Sequence, residues 1–113
     1  MLPLITIITP TYNRKSLVKK AILSVVAQSQ ETPFKREMII VDDGSTDGTK
    51  QYIQEYIESH DAITYIYQEN AGVWSARNTA LRAMSKDSSY VILLDSDDEL
   101  TVDCISQCLA RLS

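Results

Sequence analysis

The stretch Tyr90-Val91-Ile92-Leu93-Leu94-Asp95-Ser96-Asp97-Asp98-Glu99 changes character at one peptide bond, passing from five apolar or aromatic residues to four carboxylates in the next five. A short continuous apolar run bounded by polar residues reads as a strand buried on both faces. The acids then stand at its carboxyl end. Such crowding costs energy, because neighbouring like charges raise one another's pKa, and a hard divalent cation with its preference for oxygen ligands relieves the repulsion. A solvated acidic turn that opens the next helix through Asp98 or Thr101 accounts for the same residues.

Working outward, the same unit of strand, polar loop and helix recurs upstream. Leu4-Ile5-Thr6-Ile7-Ile8-Thr9 is the first strand, followed by Leu17, Val18, Ala21, Ile22, Val25 and Val26 at helical spacing. Met38-Ile39-Ile40-Val41 is the second; Ser45 or Thr46 caps a helix whose apolar face carries Ile53, Tyr56 and Ile57. Residues 63–67 form a third strand, 73–84 a third helix, 90–94 the fourth strand, and Thr101 caps a last helix. The order βαβαβαβα predicts an α/β fold, doubly wound and Rossmann-like, with a mostly parallel sheet, right-handed crossovers and helices on both faces. Ligands in such sheets bind beyond the carboxyl ends of the strands. The loops to watch are therefore 10–13, 42–46, 69–72 and 95–99.

Composition narrows the function classes. The 113 residues are 44% hydrophobic and 23% charged, which fits one compact domain over residues 1–113. A net charge of -4 and a pI near 4.8 leave no basic surface for counterion release, so no nucleic-acid partner is expected. Cys104 and Cys108 fall on one helical face and read as buried free thiols rather than zinc ligands, the sole His60 being far away in a polar stretch. Neither a signal peptide nor a membrane-spanning run is present, so a cytoplasmic chain is expected.

Three more loops carry residues with chemistry. In Val41-Asp42-Asp43-Gly44-Ser45-Thr46-Asp47-Gly48-Thr49 a carboxylate pair stands where a buried strand ends, able to accept from the edge of a nucleobase; a strand-to-helix turn explains Ser45, Thr46 and Asp47 equally well but not the doubled aspartate. In Gln68-Glu69-Asn70-Ala71-Gly72-Val73-Trp74-Ser75-Ala76-Arg77-Asn78, Arg77 could reach a phosphate or an acidic loop but reads more readily as an exposed cation or a buried ion-pair partner for the aspartates, and Trp74 as packing rather than a sugar platform. Thr9-Pro10-Thr11-Tyr12-Asn13-Arg14 offers a rigid turn and a ring able to stack on a base, or a plain turn with a helix cap.

Taken in order, Pro10-Thr11-Tyr12-Asn13-Arg14, the 41–49 stretch, Gln68-x-Asn70-x-Gly72-x-x-x-Ala76-Arg77-Asn78 and Asp95-Ser96-Asp97-Asp98 resemble glycosyltransferase family 2 from Leu4 to about Leu100. The resemblance implies the nucleotide-binding half of a GT-A fold that holds a nucleotide-diphosphate sugar, with UDP the expected nucleotide, and Mn2+ or Mg2+. By position, Pro10, Thr11 and Tyr12 would line the nucleoside pocket, Asp43 would accept from the base with Asp42 beside it, and Gly72 would border the pyrophosphate. Arg77 would brace the acidic loops. Asp95, Ser96 and Asp97 would form the family's DxD motif, with Asp97 or Asp98 on the metal. The implied reaction is inverting transfer to a carbohydrate, lipid-linked or protein acceptor in polysaccharide or cell-envelope synthesis. The catalytic base and acceptor half are expected beyond Ser113, as is any peripheral association with the inner face of the membrane. A non-catalytic, metal-dependent nucleotide-binding or regulatory module is the rival reading. A receiver domain would place its acids after the first and third strands, and a dinucleotide-binding domain would need a Gly-x-Gly-x-x-Gly turn after the first.

Overall fold

The computed structural model describes residues 2–112. Eight elements alternate: β1 (Leu4–Thr11), α1 (Lys15–Val26), β2 (Lys35–Asp42), α2 (Thr49–Ser59), β3 (Ile63–Tyr67), α3 (Val73–Ala83), β4 (Tyr90–Leu93) and α4 (Cys104–Leu112). The sheet order is β3-β2-β1-β4 and every pairing is parallel, which is the α/β arrangement expected. The first two crossovers step the chain outward from β1, and the third carries it back across to the other side. The direction of winding therefore reverses between β1 and β4, where a crevice opens at the carboxyl edge.

Strand alternation divides the core between the two sides of the sheet. Ile5, Ile7, Met38 and Ile40 pack with α1, α2 and α4, through residues such as Ile22, Ile53 and Ile105. Ile8, Ile39 and Val41 face the other way, onto Ala76 and Ala80 of α3. Two alanines let that helix approach the sheet closely. Side chains of β1 are buried from Ile5 to Thr11, as the central position of this strand requires.

Several local expectations are corrected. The last strand is not buried on both faces: Tyr90, Val91 and Leu93 are each more than two-fifths exposed, because β4 is an edge and α3 covers β1 and β2 instead. Neither Ser45 nor Thr46 caps α2, which starts after Gly48 at a left-handed φ of 79°. α4 starts at Cys104, past Thr101, whose carbonyl accepts from the Cys104 N–H at 3.0 Å. Nor are both thiols buried; Cys108 is exposed and Cys104 half-buried, since Ile105 and Leu109 occupy the core face of α4.

These placements make opposite predictions for two apolar strand residues. Ile7→Ala, at a fully buried site in the central strand, should lower unfolding free energy by about 2–5 kcal/mol. Leu93→Ala, at a side chain 56% exposed, should change it by no more than about 0.5 kcal/mol. Urea unfolding of both variants checks this, and equal losses would return β4 to the core.

Candidate functional site

The crevice at the winding reversal is a cleft of about 480 Å³. Pro10 and Thr11 end β1, Tyr12 and Arg14 come from the loop after it, Asp43 follows the end of β2, Asn70, Val73 and Arg77 come from the loop before α3 and its first turns, and Asp95, Ser96 and Asp97 from the loop after β4. All four loops marked in the sequence thus have residues at this edge, three of them from motifs with Pro10, Asp43 or Asp95 at the strand terminus.

β2 ends in two adjacent carboxylates that point to opposite faces, as the two-residue period of a strand demands. Asp43 is buried and faces α3. Its Oδ1 accepts from Ala71 N (2.8 Å) and Gln68 Nε2 (2.8 Å), and its Oδ2 from Gly72 N (2.9 Å) and, more weakly, Asn70 Nδ2 (3.4 Å). Burial alone would push this carboxyl up; the donated bonds from Ala71, Gln68 and Gly72 outweigh it and hold the group below its ordinary value of 3.8. The loop fits because Gly44 and Gly72 adopt φ of 89° and 99°. A Cβ on Gly44 would come within 2.9 Å of Asn70 N, so a side chain there would push the two loops apart.

Asp42 takes the other face and is not a wall of the cleft. Its Oδ1 accepts from Ser45 N at 2.8 Å and its Oδ2 from the Tyr65 hydroxyl. Burial first, then that bond, raises the Tyr65 phenol well above its ordinary value and keeps it neutral. Ser45 and Thr46 serve the neighbouring loop: Asn13 N donates to Ser45 Oγ at 2.8 Å and Thr46 N to Asn13 Oδ1 at 2.7 Å. Asp47 completes the brace by accepting from Lys15 N at 3.2 Å at the start of α1.

The remaining acids are exposed. Asp95, Asp97 and Asp98 each have one carboxylate oxygen within 4.8 Å of the others. Arg77 Nη2 pairs with Asp95 Oδ1 at 3.0 Å, and Arg14 Nη1 with Asp97 Oδ2 at 3.1 Å. The first pair bears out Arg77 as an ion-pair partner of the aspartates. Trp74, by contrast, is not packing. It is 74% exposed, off the Ala76 and Ala80 face of α3, with its ring 5.3 Å from the Arg77 guanidinium. Gly72 lies outside the lining and acts through its N–H to Asp43; Asp98 joins the acidic cluster without lining the cleft.

Residues 6–113 match the family model described as glycosyl transferase family 2. The chain belongs to that family. It is 40% identical over 108 residues to the glycosyltransferase GlyA of Streptococcus pneumoniae, covering 96% of this chain and 15% of that protein. It is 38% identical over 107 residues to the chondroitin synthase of Escherichia coli, again with 15% of that protein covered. Among solved structures it resembles TarS 1-349 of S. aureus in complex with UDP, with a TM-score of 0.81, 27% identity and 97% and 31% of the two chains covered. It also resembles the mannosyltransferase PcManGT of Pyrobaculum calidifontis in complex with GDP-Man and Mn2+, with a TM-score of 0.76, 33% identity and 88% and 29% covered. The chain spans less than half the length of these relatives. Both structural neighbours are GT-A glycosyltransferases, so the fold expected from the family motifs is the fold found.

Set against the family motifs, Arg14, Asn70, Val73 and Gln68 are the residues to which sequence reasoning assigned no role. Arg14, Asn70 and Gln68 lay inside the motifs, but their partners Asp97 and Asp43 are remote in the chain, and nothing local marks the pairing. Val73 carried no signal beyond helical spacing.

The Asp43 bonds predict a pH-dependent brace. With its pKa depressed in the folded protein, Asp43 contributes stability that is fully present above the unfolded value of about 4 and is lost as pH falls through the lowered folded value. Asp43→Asn removes the charge and sets an amide NH2 among N–H donors, which should cost about 1–3 kcal/mol near neutrality. Urea midpoints of parent and variant should converge in acid. A gap that stays constant with pH would show that the charge does not hold the loop.

Proposed function

We propose that the protein transfers a sugar from a nucleotide-diphosphate sugar to an acceptor hydroxyl, by an inverting displacement that depends on a divalent cation. The observation that carries this reading is the acidic cluster at the mouth of the cleft, one loop away from an aromatic side chain and a buried carboxylate able to take a nucleoside. The solved relatives support it, since TarS is described with UDP and with UDP-GlcNAc and PcManGT with GDP-Man and Mn2+.

In this reading the nucleoside lies among Pro10, Thr11 and Tyr12, with the half-exposed Tyr12 ring against the base. Asp43 takes a base N–H on Oδ2. That oxygen carries one good bond, from Gly72, and the 3.4 Å contact from Asn70 is the one that yields. The donor set of the 95–98 loop is all carboxylate oxygen, which fits Mn2+ or Mg2+ and not a thiophilic metal. Asp97 is assigned as a ligand, with Asp98 and Asp95 beside it. A cation there would stabilise the negative charge that builds on the departing nucleoside diphosphate. Arg77 holds Asp95 in place, and Ser96, buried between the acids, lines the floor. The base for the acceptor hydroxyl is assigned to the part of the longer relatives that this chain does not span.

A carbohydrate, lipid-linked or protein acceptor, and synthesis of a cell-envelope polysaccharide on the cytoplasmic side, complete the proposal. A relative 34% identical over 113 residues, a glucosyltransferase of Campylobacter jejuni, is named for an undecaprenol-linked acceptor. No helix among the described residues is long and apolar enough to cross a membrane, so a peripheral contact would serve any lipid-linked acceptor.

Calorimetry with UDP tests the cation role. Binding in manganese should weaken about tenfold or more in EDTA and in Asp97→Asn, the scale of losing one charge-assisted contact of about 1.5–3 kcal/mol. Equal affinity with and without EDTA would reduce the acidic loop to a solvated turn.

A further inference from the structure

Two of the three clustered carboxylates already have a cationic partner, and the two partners are not alike. Arg77 is largely buried, with its side chain 22% exposed and its Nε among the buried polar atoms that lack a partner. Trp74 stacks over it. It is fixed in place. Arg14 leaves the loop at the start of α1 with its side chain half exposed, and among the described residues that side chain has no polar partner besides Asp97. It also lines the cleft, within the space assigned above to the nucleotide.

A metal ion at Asp97 therefore competes with Arg14, because a guanidinium 3.1 Å away occupies one lone pair of Oδ2 and repels a second cation. The cluster has its own means of staying nearly neutral, since three carboxylates face two guanidinium groups. A diphosphate arriving in the cleft brings the anion to which Arg14 can move, and guanidinium matches phosphate oxygens at least as well as a single carboxylate oxygen.

We infer that Arg14 is a movable counter-ion: it holds Asp97 while the cleft is empty and passes to the diphosphate when the nucleotide enters, so that cation and nucleotide bind cooperatively. This rests on the cation role proposed for Asp97. The same handover strengthens nucleotide binding when the cation is present, because coupling between two ligands is reciprocal. Its size is modest. An ion pair exposed on both sides shifts an equilibrium by about two- to fivefold.

The test measures manganese affinity, by the electron paramagnetic resonance signal of the free ion, with and without saturating UDP, in the parent, Arg14→Gln, Arg14→Lys and Asp97→Asn. Without UDP, Arg14→Gln should bind manganese about two- to fivefold more tightly than the parent, and the enhancement by UDP should shrink by a similar factor. Arg14→Lys keeps the charge and should stay close to the parent. If Arg14→Gln leaves both the UDP-free affinity and the UDP enhancement unchanged while Asp97→Asn weakens binding, the role of Arg14 is overturned and the cation site stands. A parent that binds no manganese in either state overturns both.

Discussion

A single buried carboxylate joins the walls of the cleft. Asp43 leaves β2 pointing towards α3 and accepts the N–H groups of Ala71 and Gly72, which otherwise would be unmet donors where the chain turns into that helix. Through this bond the end of β2 sets where α3 begins. The helix then carries Arg77 to Asp95 and so sets the loop after β4. Gly44 has its place in the same chain of constraint, because the 43–45 turn passes so close to Asn70 that no Cβ fits between them. The carboxylate stays charged at neutral pH because it is surrounded by donors, and it is surrounded by donors because it is charged.

The first loop is braced in the same manner from the other face of the sheet. Asp42 points away from the cleft, bonded to Ser45 N and the Tyr65 hydroxyl, and this shapes the turn that receives Asn13. Asn13 sits at a φ of 51°, a left-handed conformation that asparagine tolerates better than most residues, and its amide carbonyl accepts from Thr46 N of the neighbouring loop. Tyr12, the next residue upstream, is thereby held at the rim with its ring free. Two adjacent acids thus brace two different loops, and only the alternation of a strand separates their tasks.

Much of this was legible in the residues and some of it was not. The parallel α/β sheet follows from apolar runs spaced by crossover-length helices, and the edge where the loops gather follows from the sheet. What stayed hidden depends on partners distant in the chain. An apolar run such as Tyr90 to Leu93 has the same pattern whether a neighbour covers it or not, so its exposure could not be read. Ser45 and Thr46 have capping chemistry, yet they spend it on Asn13 and leave Gly48 to begin α2. Alternation says that Asp42 and Asp43 face opposite ways but does not say which of them sees the cleft. Arg14 had no role in the sequence because Asp97, which explains it, lies at the other end of the chain.

The division among the acids themselves separates scaffold from site. Asp42, Asp43 and Asp47 have their oxygens committed to N–H and O–H donors of the same chain, and Asp42 and Asp43 are buried. Asp42 and Asp47 have little acceptor capacity left and would lose folding free energy by giving it up, whereas Asp43 keeps one weak contact, from Asn70 on Oδ2, that a ligand N–H can replace. Asp95, Asp97 and Asp98 are in the opposite condition: they are solvated and crowded, Asp95 and Asp97 are held by ion pairs that solvent screens, and Asp98 has no ion pair among the described residues. Lone pairs that remain open at little cost to the fold are the ones a ligand can recruit. The proposed uptake and release of a charged nucleotide would gain from rigid acids under the loops and open acids at the mouth, where an incoming charge meets groups held only by screened ion pairs or by none.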